Sequence, residues 1–473
     1  MTFIWFSYIQ LLLSLGASVV VPIFIFIIAL ALRVPVKTAF RGAVMIGVGF
    51  VGIYLIIGAF GNAISPIAHD LVTHLHSHLN VIDLGWPTAA AISYATLVGV
   101  SIIPYALLLN LVLLAAKWTK TLDIDIWNYW HPAYVASMVA IITHEIIPAF
   151  IIAGAYFMVL LKLADWTAKS MQKQINVPNV SFPHGTSAPG AVFAVPVKWL
   201  IDRIPGLNTL KADPESIQRK LGVLGEPAIL GLIIGFLLSI ASGATATQIA
   251  TATITVAALL VILPKMVGIL MEGLVPIAEQ VRNRFANSSR FTKGEFWIGM
   301  DTALTIGVPS VIAASLILIP IVLAEALIFP GNHVLPLADL SVIPFVITMM
   351  APFFRNNVVH LVIAGTIYLG LGLYMATYLA PFYTAAAVVA KFPIPSGIFE
   401  ITSIADGFIW LPFVVFVTTS FGGTLTYIAG ILWFVIVLIL GYVLKDKPWI
   451  AKLVPENPWP EEEQTSQTTN QPP

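Results

Sequence analysis

Charged residues are scarce in this chain of 473 residues: they make up 10% of it, whereas 58% of its residues are hydrophobic. A soluble domain carries roughly a quarter charged residues, so a chain this poor in charge cannot cover a water-facing surface. Lipid is the solvent that fits this composition, and the sequence predicts an all-α integral membrane protein. The formal net charge is zero, which gives no indication of a nucleic-acid partner.

Cysteine is absent. Its absence excludes disulfides, thiolate metal sites and a cysteine nucleophile within this chain. The sequence also lacks a phosphate-cradling Gly-Lys-Ser/Thr loop, which argues against an internal ATPase. Residues 1–32 lack the basic region and the small-residue cleavage site of a signal peptide, so we expect them to contain a retained first span.

Long apolar runs predict about eleven membrane spans, because ~20 apolar residues cross the hydrocarbon core as a helix. The candidates are 8–32, 42–60, 88–116, 132–146, 147–166, 224–242, 247–268, 301–328, 340–353, 357–380 and 425–444. The shortest of these runs are expected to be broken or re-entrant, and further candidates for such segments are 84–98 and 408–420. Broken segments are tolerated only where protein or a wet cavity surrounds them.

Lysine and arginine concentrate in alternate loops. They follow the first, third and fifth predicted spans, whereas the loops 61–83, 242–247 and 329–338 contain neither residue. The positive-inside rule then predicts an outside N-terminus, eleven spans and a cytoplasmic C-terminus. Lys391 is the exception to this pattern.

The two halves of the chain resemble each other weakly: 85–92 aligns with 299–306, and at the same offset Ser101 aligns with Ser315. Five spans per half would orient the halves oppositely, which is the inverted-repeat plan of many transporters. Chance similarity is the alternative, because small and aliphatic residues dominate both segments. The predicted domains are a first five-span repeat (1–166), an amphipathic cytoplasmic linker (167–222), a second repeat (223–385), a re-entrant segment with a final span (386–455) and a disordered tail (456–473).

Polar groups at membrane depth are costly and are therefore functional candidates. Asp301 interrupts an apolar stretch, and its carboxylate could accept two solute hydroxyls at once. Asn128 and His131 share one face of a helix and also suit hydroxyl recognition. The nearby Asp123 and Asp125 are interpreted as helix caps.

Breaks in regular helix supply further candidates. Gly85 and Pro87 free backbone polar groups, and Trp86 between them either stacks on a sugar or belongs to the interfacial aromatic belt. Segment 183–187 places a histidine beside glycine, threonine and serine, and the alternative is a polar surface turn. The predicted solute-binding residues are Asp301, His131, Asn128, His184, Gly185, Thr186, Glu226, Gly85, Trp86, Pro87 and Asp339.

Four histidines crowd the predicted outer loop 61–83, namely His69, His74, His76 and His78. Histidine-rich tracts can bind metal, but a solvated loop is the preferred interpretation here. No metal, cofactor or catalytic residue is expected.

Several of these segments, in this order, resemble the galactitol-type enzyme IIC of the bacterial phosphotransferase system, within the ascorbate and galactitol superfamily. The resemblance extends from about residue 10 to 445. The segments that carry it are 47–52, 83–87, 123–131, 183–188, 217–220, 225–227, 295–301 and 330–340.

This resemblance implies a homodimeric permease subunit with inverted repeats, in which a gripping core moves like an elevator against a scaffold. It further implies that a polyol or sugar is phosphorylated on release by a separate IIB protein, from a phosphocysteine supplied through IIA. The absence of cysteine from this chain agrees with phosphoryl transfer by a separate protein. Val308-Pro309 stands where the family pattern has His-Thr, so other hexitols, pentitols and galactose-like sugars stay open beside galactitol.

Two other functions remain as alternatives. An ion-coupled secondary transporter of a small polar solute would need an intramembrane acid that titrates, for which Asp301 or Glu226 could serve. A membrane enzyme acting on lipid or a carrier sugar would use histidine and aspartate as acid and base.

Overall fold

The computed structural model describes residues 17–31, 33–75, 79–123, 125–212, 214–221, 223, 226–286, 296–394, 398–407, 423–445 and 447–459. The start of the first predicted span, the candidate re-entrant segment 408–420 and most of the predicted tail therefore lie outside the described residues.

Helices dominate the described part of the chain, which confirms the predicted class. Numbered in chain order, they are α1 (Ala17–Ala31), α2 (Val36–Leu75), α3 (Trp86–Ala95), α4 (Leu97–Ala115), α5 (Trp130–Thr143), α6 (Ile146–Ile175), α7 (Ala188–Ile201), α8 (Pro214–Leu221), α9 (Pro227–Ala241), α10 (Ala246–Ala286), α11 (Pro309–Ile328), α12 (Ile343–Thr348), α13 (Val358–Val389), α14 (Ile404–Gly407), α15 (Gly423–Leu444) and α16 (Pro448–Leu453).

Five segments among these described helices are long and apolar enough to cross a membrane. They are Val36–Ile56, Ile146–Ile175, Pro309–Ile328, Val358–Val389 and Gly423–Leu444. Each overlaps a predicted span, because hydropathy is a local property of the sequence. The apolar helices in the other predicted spans are shorter.

The structure corrects several predicted boundaries. The run 88–116 is divided at Thr96, whose extended backbone ends α3 and whose Oγ1 accepts the N–H of Gly99 to start α4. The run 340–353 is a short α12 between two 3-10 helices, Ala338–Val342 and Ala351–Phe354. Helix α2 continues to Leu75, so most of the predicted loop 61–83 is helical, because polar residues end an apolar run without ending a helix.

Within the described residues, six very short strands form two parallel sheets, which the sequence analysis missed because two or three residues are too few to show an alternating pattern. The strands are β1 (Val81–Asp83), β2 (Thr121–Asp123), β3 (Val180–Ser181), β4 (Trp297–Gly299), β5 (Val334–Leu335) and β6 (Glu400–Thr402). Sheet A has the order β5-β1-β6 and sheet B has the order β2-β4-β3. All of their pairings are parallel.

The two sheets determine where polar groups collect. In a parallel sheet the carboxyl ends of all strands lie at one edge, so the residues that follow these strands meet there. At both edges these residues include aspartates, and Asp83, Asp123 and Asp339 are buried. Sheets A and B therefore each carry an interior polar cluster.

Candidate functional site

Sheet A ends in two buried aspartates, Asp83 on β1 and Asp339 in the 3-10 helix after β5. Asp83 Oδ1 accepts the backbone N–H of Gly85 at 3.0 Å. Asp83 Oδ2 accepts the backbone N–H groups of Leu337 at 3.0 Å and Asp339 at 2.8 Å. Asp83 thus joins two segments that are more than 250 residues apart in the chain.

Asp339 completes this cluster. Its Oδ1 accepts the backbone N–H of Trp86 at 2.8 Å. Its Oδ2 accepts the backbone N–H of Ala405 at 2.8 Å and the hydroxyl of Ser403 at 2.6 Å. All four carboxylate oxygens of Asp83 and Asp339 therefore have donors within the protein, which makes Asp339 a support for the turn that carries Trp86.

The turn between β1 and α3 requires a glycine. Gly85 has a φ of +81°, and a Cβ there would lie 2.8 Å from the Cβ of Ala338. Pro87 in the first turn of α3 has no N–H to leave unsatisfied. The predicted helix break at 85–87 is thus a tight connection that places the partly buried Trp86 at the start of α3.

Sheet B ends differently, because Asp123 Oδ2 has no donor among the described residues and the Asp301 side chain is 19% exposed. The N–H of Ala303 donates to Asp301 Oδ1 at 2.7 Å, and the Asp301 N–H donates to Asp125 Oδ2 at 3.2 Å. Asp301 Oδ1 also lies 3.9 Å from His184 Nε2. Asp301 therefore caps the 3-10 helix Thr302–Leu304, between β4 and α11, and keeps a partly accessible carboxylate.

His131 uses both of its ring nitrogens within the protein. Its Nδ1 lies 3.1 Å from the carbonyl oxygen of Asn128, which can only accept. The backbone N–H of Thr186 donates to its Nε2 at 3.2 Å, and the Thr186 hydroxyl lies 3.1 Å from the same atom. His131 is therefore a neutral ring protonated on Nδ1, and it joins the start of α5 to the segment after β3.

Segment 183–187 is packed closely against this ring. His184, Thr186 and Ser187 are buried, so the alternative of a polar surface turn is wrong. A Cβ on Gly185 would lie 2.4 Å from His131 Cγ, which explains why glycine occupies this position. The Ser187 hydroxyl lies 2.8 Å from that of Thr302, directly after Asp301.

Aromatic rings form a row that leads to Asp301. The centroids of Trp86 and Trp130 are 6.5 Å apart, and Trp130 stacks on His131 at 4.0 Å. His131 contacts His184 edge to face at 4.5 Å. Because Trp86 belongs to the turn after sheet A, this aromatic row connects the two polar clusters.

His184 and Asp301 lie at the exposed end of this row. Burial lowers the pKa of His184 to about 3, so its ring is neutral near pH 7. The pair offers a carboxylate acceptor beside a neutral imidazole, which suits a solute that carries hydroxyl groups.

Three buried polar atoms near His131 have no hydrogen-bond partner within the described part of the chain: Asp123 Oδ2, Asn128 Oδ1 and Trp130 Nε1. An unsatisfied buried polar atom costs roughly 1–3 kcal/mol, so a solute or water is expected to satisfy such atoms. Asp123 was predicted to be only a helix cap. In the structure its Oδ1 also accepts the side-chain amide N–H of Asn128 at 3.0 Å. The sequence analysis missed Trp130, although it lies directly before His131.

Other predicted residues lie elsewhere. Glu226 is exposed immediately before α9, and the structure gives it no contact with the aromatic row. Val308 and Pro309 begin α11, where proline suits the first turn. His69 and His74 belong to α2, whereas His76 and His78 lie outside the described residues. No group of three potential metal ligands occurs within the described ranges.

The apolar helices, the interrupted helical segments and the polar site enclosed between them define a membrane permease. Residues 11–397 match the family of sugar-specific permease components of the phosphotransferase system, the galactitol-type enzyme IIC family. The chain belongs to this family, which confirms the resemblance described above. A permease component is the transport subunit of such a system.

Two relatives from Escherichia coli (strain K12) have similar sequences. A protein described provisionally as a permease IIC component is 37% identical over 397 residues, which cover 84% of this chain and 90% of the relative. The galactitol-specific EIIC component is 34% identical over 381 residues, which cover 80% of this chain and 84% of the relative.

Proposed function

We propose that this chain carries a polyol or sugar of the galactitol kind across the bacterial inner membrane, for phosphorylation by a separate IIB protein. The observation that carries this proposal is the Asp301 carboxylate at the open end of the aromatic row. Hydroxyl-rich solutes are held by acceptors such as carboxylates and by the flat faces of aromatic rings. Family membership and the relative named for galactitol agree with that chemistry.

The solute is proposed to bind beside sheet B. Asp301 accepts hydrogen bonds from solute hydroxyls, and Asn128 Oδ1 and Trp130 Nε1 supply an acceptor and a donor that have no partner among the described residues. His184 contributes a neutral ring, while Gly185 and Thr186 hold His131 in place. Gly85, Pro87 and Asp339 act by positioning Trp86.

An inverted repeat is supported by the element order. Helices α1 and α9, α2 and α10, α4 and α11, and α6 and α13 occupy corresponding places in the two halves. The central strand of each sheet comes from one repeat and one flanking strand comes from the other, while the third strands, β3 and β6, follow the first and second repeats in the sequence. We propose that 1–166 and 223–385 are the repeats, although α6 continues beyond residue 166.

The same division suggests how transport occurs. Helices α1, α2, α9 and α10 pack mainly with one another, whereas both polar clusters belong to other elements. We propose that these four helices form a dimer scaffold and that the remaining core moves like an elevator. Eleven spans, an outside N-terminus and a cytoplasmic C-terminus belong to this proposal, as do the 167–222 linker, the 386–455 segment with its final span and the disordered tail.

Phosphorylation must come from a partner. The sequence has no cysteine to carry a phosphoryl group, and a IIB phosphocysteine supplied through IIA would provide it. The proposed task of this chain is therefore to bind, translocate and present the solute. The alternative of an ion-coupled transporter needs an acid that titrates, and the partly exposed Asp301 carboxylate keeps that alternative testable.

The test is uptake of radiolabelled galactitol in cells that express this chain with or without a IIB and IIA pair. We expect labelled phosphate ester to accumulate only when the pair is present, and the Asp301→Asn variant to abolish accumulation. Concentrative uptake of unmodified solute without IIB, lost on addition of an uncoupler, would instead establish ion coupling. A panel of hexitols, pentitols and galactose would then define the solute.

A further inference from the structure

A cavity of about 620 Å³ lies apart from the proposed solute site. Its walls come from segment 198–212, the start of α8, the start of α11, segment 353–360 and Trp459. The residues of the two polar clusters and of the aromatic row are not among its lining residues. The proposed solute site therefore does not account for this cavity, which is called the basic cavity below.

The side chains of the basic cavity suit a phosphate group. Lys198, Lys211 and Arg355 line it, against the two acids Asp202 and Glu215. Lys198 forms an ion pair with Asp202 at 2.7 Å, so part of its charge is balanced within the wall. The amide of Asn208 also lines the cavity, whereas the amides of Asn356 and Asn357 donate to the carbonyl oxygens of Pro458 and Leu210. The three cations exceed the two acids by one charge, and cationic donors recognise phosphate oxygens.

The segment that supplies this lining also presents an apolar face. Trp199, Leu200, Ile204 and Leu210 are 57%, 48%, 40% and 50% exposed, and they alternate with the cavity-lining residues of the same segment. The Arg203 guanidinium lies 3.9 Å from the centre of the Trp199 ring. Exposed tryptophan beside arginine is typical of a membrane–water interface.

We propose that the basic cavity binds the phosphate headgroup of an anionic phospholipid, whose acyl chains lie along this apolar face. A free phosphate ester carries the same charged group as the headgroup, but it has no acyl chains to contact the apolar residues. Basic pockets between membrane helices bind anionic lipid headgroups in the same way. The proposal depends on membrane residence alone, and therefore stands or falls separately from solute recognition.

The test uses the full-length protein purified in detergent, with phosphatidylglycerol, phosphatidylcholine and inorganic phosphate as separate probes. Native mass spectrometry measures retained lipid, and calorimetry measures phosphate binding. We expect phosphatidylglycerol to be retained in preference to phosphatidylcholine. The double variant Lys198→Gln/Arg355→Gln should bind it roughly thirtyfold more weakly, since each cation near an anionic headgroup contributes about a fivefold factor.

The matched control is Lys169→Gln/Lys452→Gln, which removes the same charge from two exposed positions outside the cavity. Its affinity for phosphatidylglycerol should equal that of the wild type. Equal retention of the two lipids, or equal weakening by both double variants, would overturn the proposal. Binding of inorganic phosphate without phosphatidylglycerol would also overturn it, because the cavity would then serve a soluble phosphate. Galactitol affinity, measured on the same variants, should not change.

Discussion

Sheets A and B have the same architecture, but the carboxylate oxygens of their aspartates accept hydrogen bonds from the protein to different extents. Each is a three-stranded parallel sheet with aspartates at the carboxyl ends of its strands. At sheet A, the oxygens of Asp83 and Asp339 all accept hydrogen bonds from the protein. At sheet B, Asp123 Oδ2 has no partner within the described residues, and the Asp301 side chain remains partly exposed.

This difference separates support from recognition. A carboxylate whose oxygens are all occupied by backbone amides holds segments together, and its loss leaves several buried donors unsatisfied. A carboxylate with unused capacity beside aromatic rings can exchange water for solute hydroxyls. We therefore propose that free acceptor capacity, more than position in the sequence, distinguishes a solute-binding aspartate from a supporting one.

The largest effect is expected at sheet A. Asp83→Ala would leave the backbone N–H groups of Gly85, Leu337 and Asp339 without their acceptor. Thermal and denaturant unfolding in detergent should show a loss of roughly 3–5 kcal/mol in stability. The control Glu456→Gln removes an exposed carboxylate and should change stability by less than about 1 kcal/mol. Similar stabilities for both variants would contradict a supporting role for sheet A.

A smaller effect on solute affinity is expected at Trp130. Trp130→Phe removes the unpartnered indole N–H but keeps an aromatic ring between Trp86 and His131. Galactitol affinity, measured by calorimetry, should fall about tenfold, the equivalent of one hydrogen bond. Trp166→Phe is the control, because it removes another unpartnered indole N–H, on α6. Equal losses for both variants would mean that Trp130 does not contact the solute.

The smallest effect is expected at Glu226. Its carboxylate is exposed before α9, outside both polar clusters. Glu226→Gln should therefore leave galactitol affinity and unfolding temperature within experimental error of the wild type. A strong loss of binding in calorimetry would restore the sequence-based expectation that this residue contacts the solute.

Local properties of the sequence predicted the helical fold class and several segments of the candidate site. Apolar runs revealed the helices because membrane insertion depends on local hydropathy, and the motifs around His131, His184 and Asp301 marked segments that meet in space. The contacts of Asp83 with Leu337 and Asp339 could not be predicted, because they join distant segments through strands too short to show a pattern. Trp130 was missed because an unused indole N–H becomes apparent only when its neighbours are known.

Galactitol binding by purified wild type and Asp301→Asn, measured by calorimetry at pH 8, tests the central claim most directly. Replacement of the carboxylate by an amide removes one oxygen acceptor while keeping the side-chain size. The account predicts at least about a hundredfold loss of affinity, because hydrogen bonds to a charged group are each worth roughly 1.5–3 kcal/mol. Unchanged affinity in a folded Asp301→Asn protein would contradict it.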